Sequence, residues 1–296
     1  MNDKATFYSP VLSDSSPCII LFDTINGFFT WYYDSLAEVN NSVGRRPTAP
    51  MPAKRIPELK RVFESQFRNA IDKVLSLHIG ASTNDVIFAI DCLRHRVWRN
   101  AFLCDTKQPN RPVYKAHRKR FRDPGITLLM RFLFDDLIPH VFPGRRVGAS
   151  NAEADDVIAV ITRMVNARAP KRRVIIVSDD SDFIQLLDYP NNDIYTQRFL
   201  RVRNRIFRSP REITHIKIIS GDKADNISAA FPRCGVKRAQ TLVSRPYLFN
   251  RYIKKYGRKL YDRNKLLIDF DFIPARIKGL IIERALCLRF ESRMCN

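Results

Sequence analysis

With 296 residues, 45% of them apolar and 27% charged, the chain has enough material for one large or two modest packed cores and is too apolar to be disordered. Its 51 Lys+Arg against 30 Asp+Glu leave a net charge of +21, which makes a polyanion the expected partner. Nucleic acid comes first, because no basic amphipathic anchor points to a membrane surface. Cys18, Cys92, Cys104, Cys234, Cys287 and Cys295 stand singly with no C-x-x-C pair, against a zinc ribbon or a disulfide framework. No apolar run reaches the roughly 18 residues of a membrane span, and the start lacks an apolar signal stretch. A cytoplasmic protein is expected, in the host cytoplasm if the source is viral.

Residues 1–17 read as a polar, flexible N-terminus. Residues 18–22 (Cys-Ile-Ile-Leu-Phe) form a continuous apolar run, the pattern of a strand buried on both faces of a parallel sheet, and the run ends in Asp23. Ligand sites of α/β folds lie at that end of a strand. Capping of the next helix is the competing reading of Asp23. Residues 40–53 are loop. Residues 54–79 predict an amphipathic helix, with Ile56, Leu59, Phe63, Phe67, Ala70, Ile71, Val74 and Leu75 at three-to-four spacing. Residues 86–90 are a second buried strand ending in an acid, Asp91. The chain then turns basic and aromatic, through Arg94, Trp98 and Arg99 and again from Tyr114 to Arg120. Proline and charge make residues 104–125 a loop or arch, with cations for phosphates and rings that could stack on bases. A helix follows at 126–137, and Pro139 and Pro143 bracket a short extended piece.

The acids then crowd together. Glu153, Asp155 and Asp156 fall within four residues, just before a helix that buries Val157, Ile161, Met164 and Val165. Ser150-x-x-Glu153 matches a capping box. At 100° per residue Asp155 lies 200° round from Glu153, so a regular helix cannot aim both at one site. Either one of them caps, or the helix starts after Glu153 and both turn inward. A third buried strand, 174–177, runs into Ser178-Asp179-Asp180-Ser181-Asp182. A helix at 181–188, a strand at 193–196 and a basic ribbon (Arg198, Arg201, Arg203, Arg205, Arg208) come next. A helix at 212–220 stops at Gly221, before Asp222 and Asp225. After Gly235 a helix at 236–244 opens with Lys237 and Arg238, an arrangement suited to gripping phosphates without reading sequence. Residues 246–256, 259–267 and 274–290 are helical and basic.

Asp23, Asp91, Glu153-Ala-Asp155-Asp156, Ser178-Asp-Asp180-Ser-Asp182 and Gly221-Asp222-Lys-Ala-Asp225-Asn226, in that order and spacing, resemble the flap endonuclease / 5′-3′ exonuclease family, with the nearest likeness to its T-even phage RNase H branch. The resemblance runs from about residue 18 to about 275. It implies an α/β fold: a PIN-like nuclease domain at 18–208 with a central, mostly parallel sheet and a helical arch at about 94–137. A mostly helical C-terminal domain at 209–296 would carry a helix–three-turn–helix DNA-binding element. It further implies two Mg²⁺ ions, for which Mn²⁺ can substitute. Asp23, Asp91, Glu153 and Asp155 would hold the first ion, with Asp180 shared; Asp182, Asp222, Asp156 and Asp225 would hold the second. Tyr114-Lys115-x-x-Arg118 matches the base of the family's arch, with Lys115 and Arg118 facing the scissile phosphate. Arg94, Arg99, Tyr114, Lys119, Arg120, Arg233, Lys237 and Arg238 are the expected nucleic-acid contacts. The family's Gly-Ile-Gly is Arg233-Cys234-Gly235 here, which puts an ion-assisted backbone grip on duplex in doubt. Asp179 is an additional acid with no assigned role.

The chemistry agrees with that resemblance. Mg²⁺ takes oxygen ligands, and a pair of ions both activates water and neutralises developing charge. The expected activity is hydrolysis of 5′-ended duplex, flap or RNA-primer strands in replication or repair by a monomer, with a single-strand-binding protein or a sliding clamp as candidate partners. The rival readings are a PIN-type RNA endonuclease and an inactive nucleic-acid-binding relative.

Overall fold

The computed structural model describes residues 18–40, 53–103, 114–116 and 124–289. The expected flexible N-terminus at 1–17, residues 41–52 of the expected loop, and residues 104–113 and 117–123 of the arch, with Arg118, Lys119 and Arg120 among them, lie outside these residues.

Five short strands form one parallel sheet. They are β1 (Cys18–Asp23), β2 (Val86–Ala89), β3 (Arg146–Val147), β4 (Arg173–Val177) and β5 (Asn192–Tyr195), in the order β3-β2-β1-β4-β5. Ile20 pairs with Val86 on one side of β1 and with Ile175 on the other. Helices cover both faces of the sheet, so β1 can be apolar throughout: Cys18 to Phe22 are all buried. Alternate residues feed two cores. Ile19, Leu21, Ile87, Val174 and Ile176 face one side; Ile20, Phe22, Phe88, Ile175 and Val177 face the other.

The second side is covered by α1 (Thr24–Val39), α2 (Ile56–Ser76) and α3 (Pro124–Arg131). Its aromatic core includes Phe22 stacked on Phe88 at 5.6 Å between ring centres. Each such fully buried ring contributes roughly 1.5–3 kcal/mol by burial. The extended piece expected between Pro139 and Pro143 is instead helical. After α3 the chain widens into π-type turns over Phe132–Leu137 and continues as α4 (Ile138–Val141). Pro139 sits near the start of α4, directly after the π-type turns, so the run is helical through it. The first side of the sheet is covered by α5 (Ala154–Arg168), with α10 (Ala275–Leu286) packed upon it.

Between β5 and α10 lie α6 (Pro210–Ser220), α7 (Val236–Ser244), α8 (Pro246–Tyr256) and α9 (Lys259–Ile268). Ile219, Phe231, Ala239 and Leu242 make a separate small core there. The end of the chain returns to the main core: Phe270, Ile273, Ile277, Ile281 and Ala285 all belong to the sheet's first side. Two expected elements changed form. Residues Ser181–Asp188 are 3₁₀ turns rather than an α-helix. The basic ribbon is a loop with a short 3₁₀ turn at Val202–Arg205, folded down because Arg201 and Arg203 both reach Asp193.

The strand order reverses at β1 and β4: the chain builds outward through β2 and β3, then returns to the far side of β1. A crevice opens at such a reversal, at the carboxyl ends of the strands. Asp23 ends β1 and Ser178 follows β4, so the acids flank it.

Candidate active site

Each acidic segment enters the crevice from its own element. Asp23 ends β1 and also caps α1, accepting from the Asn26 N–H at 3.3 Å, so cap and site are one residue. Its other oxygen accepts from the Ser178 hydroxyl at 2.8 Å. Asp91, just past β2, accepts the Ala154 N–H at 2.9 Å and thereby ties the β2 end to the start of α5. The α5 helix starts after Glu153, in an extended conformation, and Ser150 plays no part in the cap. The reciprocal contact is Glu153 N–H to Asp156 Oδ2 at 3.0 Å. This irregular start lets Glu153 and Asp155 line the same cleft. Asp180 comes from the β4 turn, where it accepts the Asp182 N–H at 2.8 Å.

The resulting cleft, about 460 Å³, is lined by Asp23, Asp91, Glu153, Asp155 and Asp180, with Lys115 and Arg94 as its cations and Ile25, Phe29 and Val97 as apolar wall. Five acids face two cations in a protein of net +21, so the electrostatics of the cleft oppose those of the whole surface. Burial, then the Asp91 charge, pushes the Asp23 carboxyl up to about 7. Asp155 is driven well above the ordinary carboxylate range by loss of solvent and by Asp180, Glu153 and Asp23, against the pull of Lys115. Glu153 goes the other way: burial raises it, but Lys115 at 2.6 Å and Arg99 at 2.9 Å outweigh that and hold it ionised.

A second cluster adjoins. Oxygens of Asp182, Asp222 and Asp225 all lie within 4.8 Å of one another. Lys217, projecting from α6, forms ion pairs with Asp182 and, at 2.7 Å, with Asp222. Burial pushes the Asp182 carboxyl up to about 6 although Lys217 opposes it. Asp182 and Asp222 in turn keep the Lys217 ammonium above its ordinary value despite its desolvation. Lys115 links the clusters, 2.6 Å from Glu153 and 3.6 Å from Asp225, with its N–H donating to the Asp225 carbonyl at 3.0 Å. All these acid donors are hard oxygens, the set a divalent cation such as Mg²⁺ or Mn²⁺ accepts; the Cys92 thiol stands at the cleft wall.

Three expected roles are corrected. Asp156 is fully buried and points away from the cleft: Arg99 pairs with it at 2.8 Å and the Trp98 indole donates to it at 3.0 Å. It is a support, not a metal ligand. Arg99 is 3% exposed and bridges Glu153, Asp156 and the Leu267 carbonyl, so it cannot touch nucleic acid. Tyr114 is 4% exposed and gives its hydroxyl to Glu153 and Asp225, both at 3.0 Å, so its ring is not a stacking platform. A sequence cannot distinguish a buried arginine from an exposed one when both follow a strand. Lys217 was missed, although a single lysine inside His215-Ile-Lys-Ile-Ile is a signal that one cation is held among apolar neighbours. Asp179 acquires a role: its carboxylate receives the Gln197 N–H at 3.1 Å and pins the chain leaving β5. Arg94 lies exposed at the cleft, while Arg233, Lys237 and Arg238 are exposed at the turn before α7 and on its first turn.

Comparison with known proteins adds to this geometry. The family described as 5′-3′ exonuclease, N-terminal resolvase-like domain, matches residues 18–214. The ribonuclease H of enterobacteria phage T4 is 30% identical over 257 residues, spanning 76% of this chain and 79% of that protein. Among solved structures, the phage T5 5′-exonuclease with bound zinc superposes with a TM-score of 0.65 at 18% identity, over 93% of this chain and 99% of that one. A T5 flap endonuclease complex with DNA and metal ions gives 0.61 at 16% identity, over 93% and 99%. At these identities the structures speak to the fold.

Proposed function

Because the chain belongs to the 5′-3′ exonuclease family, we propose that it hydrolyses phosphodiesters of 5′-ended duplex, flap or RNA-primed strands with two divalent ions, Mg²⁺ in the cell. The observation that carries this reading is the convergence of five carboxylates from four separate segments on one crevice, beside the Asp182–Asp222–Asp225 cluster. Asp23, Asp91, Glu153 and Asp155 would hold one ion with Asp180 beside it; Asp182, Asp222 and Asp225 would hold the other. When bound, such a pair supplies a water of lowered pKa and charge stabilisation for the leaving oxygen.

The chain's own residues do the rest. Arg99 and Tyr114 fix the Glu153 carboxylate in place. Lys115 presents a buried ammonium beside the acids, where it would stabilise negative charge growing on the phosphate. Lys217, paired with Asp182 and Asp222, would add a second ammonium beside the acids to stabilise negative charge on the phosphate. The nuclease unit would comprise residues 18–208 together with α10, which packs on α5, so the expected 209–296 boundary narrows to a duplex-binding unit of residues 209–268, with α6, its turn and α7 as the helix–three-turn–helix. There Arg233, Lys237 and Arg238 would contact phosphates, with Arg94 at the cleft mouth and Arg118, Lys119 and Arg120 from the arch.

The test is cleavage of nicked, flapped and RNA-primed duplexes in Mg²⁺. The double variant Asp155→Asn with Asp182→Asn is expected to lose at least about 10³-fold in rate while retaining duplex binding. Undiminished cleavage by that variant would overturn the proposal.

A further inference from the structure

On the far flank of the nuclease core, α5 and α10 leave a groove between them of about 340 Å³. Its floor is Val160, Met164, Ala167 and Ile282; its rim is Arg163, Arg168 and Lys278, with no carboxylate in the lining among the described residues. The groove lies on the half of α5 away from the metal site. Arg168 follows Asp155 by thirteen residues, about 20 Å along a helix axis. An occupant here would leave the active cleft clear.

The chemistry of the lining restricts the occupant. An apolar floor under a cationic rim matches an apolar side chain flanked by carboxylates. Methionine at its centre suits side chains of varied shape, because the thioether is flexible and polarisable. Single-stranded nucleic acid fits less well, since no ring of the described residues lies in the floor for a base to stack on. A second copy of this chain carries the same +21 and would be repelled. The rim is also available to an incoming acid. Arg163 is held at 2.7 Å by Asp271, but that carboxylate is 73% exposed, and a pair of this kind contributes little and exchanges readily. Lys278 donates to the Asp271 carbonyl, which leaves its charge uncompensated by that contact.

We infer that the α5–α10 groove is a docking site for a short acidic segment of a partner protein, one that inserts an apolar side chain over Met164 and places carboxylates on Arg168 and Lys278. This tethers the nuclease by a face remote from its substrate.

The experiment selects random twelve-residue peptides for binding to the full-length protein and measures their affinity by fluorescence anisotropy. Enriched peptides are expected to combine Asp or Glu with a Leu, Ile or Phe, and to weaken as salt rises. Ala167→Glu and the double variant Arg168→Glu with Lys278→Glu are each expected to weaken binding at least about tenfold. Neither should alter Mg²⁺-dependent cleavage, which also shows that the variants are folded. No enrichment, peptides without acids, or acidic peptides that bind the variants unchanged would each overturn the inference. So would loss of oligo(dT) binding in the same variants, which would assign the groove to nucleic acid.

Discussion

Asp23 shows how much one residue is asked to do. It closes β1, caps α1, accepts from Ser178 and faces the cleft, and burial beside Asp91 raises its carboxyl to about 7. The folded state therefore favours its neutral form. That contribution to stability is fully present below the unfolded value near 4 and is lost as pH rises through about 7. In chelator, thermal melts of Asp23→Asn should show a protein more stable than wild type at pH 8, by roughly 1–4 kcal/mol, with the two curves converging near pH 4. Activity should vanish at every pH. Arg99 is the opposite case, a cation on which two buried acids depend. Arg99→Met leaves Glu153 and Asp156 without their shared partner and should cost about 3–5 kcal/mol in urea unfolding.

At the scale of elements, the start of α5 and the end of α6 decide whether the acids meet. The 200° between Glu153 and Asp155 is resolved by beginning the helix one residue after Glu153, with Asp156 closing the cap from inside. The α6 helix stops at Gly221, whose φ of +75° and ψ of −179° only glycine adopts readily. A Cβ there would collide with the Ile227 carbonyl and the Ser228 backbone, because the chain doubles back tightly to pair Asp222 with Ile227. Gly221→Ala should destabilise by about 2–4 kcal/mol, and should weaken divalent-ion binding as Asp222 and Asp225 shift; calorimetry of the ion and a denaturation curve read the two effects separately. The same logic puts Arg233 under strain, at φ +53° where the family pattern has glycine.

For the whole molecule, charge is divided by place. The molecule carries an excess of cations, while the crevice where the strand order reverses is lined by five acids against two cations. On the proposed function, long-range attraction would bring the nucleic acid in, and divalent cations would offset the acids of the cleft. Lys237→Glu with Arg238→Glu, on the exposed first turn of α7, should weaken duplex binding by tenfold or more and lower the slope of log affinity against log salt by about 2 or more. Cleavage at saturating substrate should change far less.

Much of this was legible in the chain itself. Apolar runs ending in Asp23, Asp91 and Asp179–Asp180 disclosed a parallel sheet with acids at one end, because a strand flanked on both sides must be apolar throughout and its end is the first place a charge is tolerated. Helices α2, α5 and α7 followed from periodicity for the same reason: burial has a period. What only the tertiary structure decided was the division of labour among like residues. Asp156 and Asp155 are adjacent acids, yet one supports and the other faces the cleft. Arg99 and Arg94 are neighbouring arginines, yet one is walled in beside Glu153 and the other lies at the surface. Burial and partner choice depend on what arrives from far along the chain, such as the Leu267 carbonyl, 168 residues on, that receives Arg99 and the Lys217 ammonium, 35 residues on, that meets Asp182. Local pattern carries no record of those encounters, whereas it records fully which residues must avoid water.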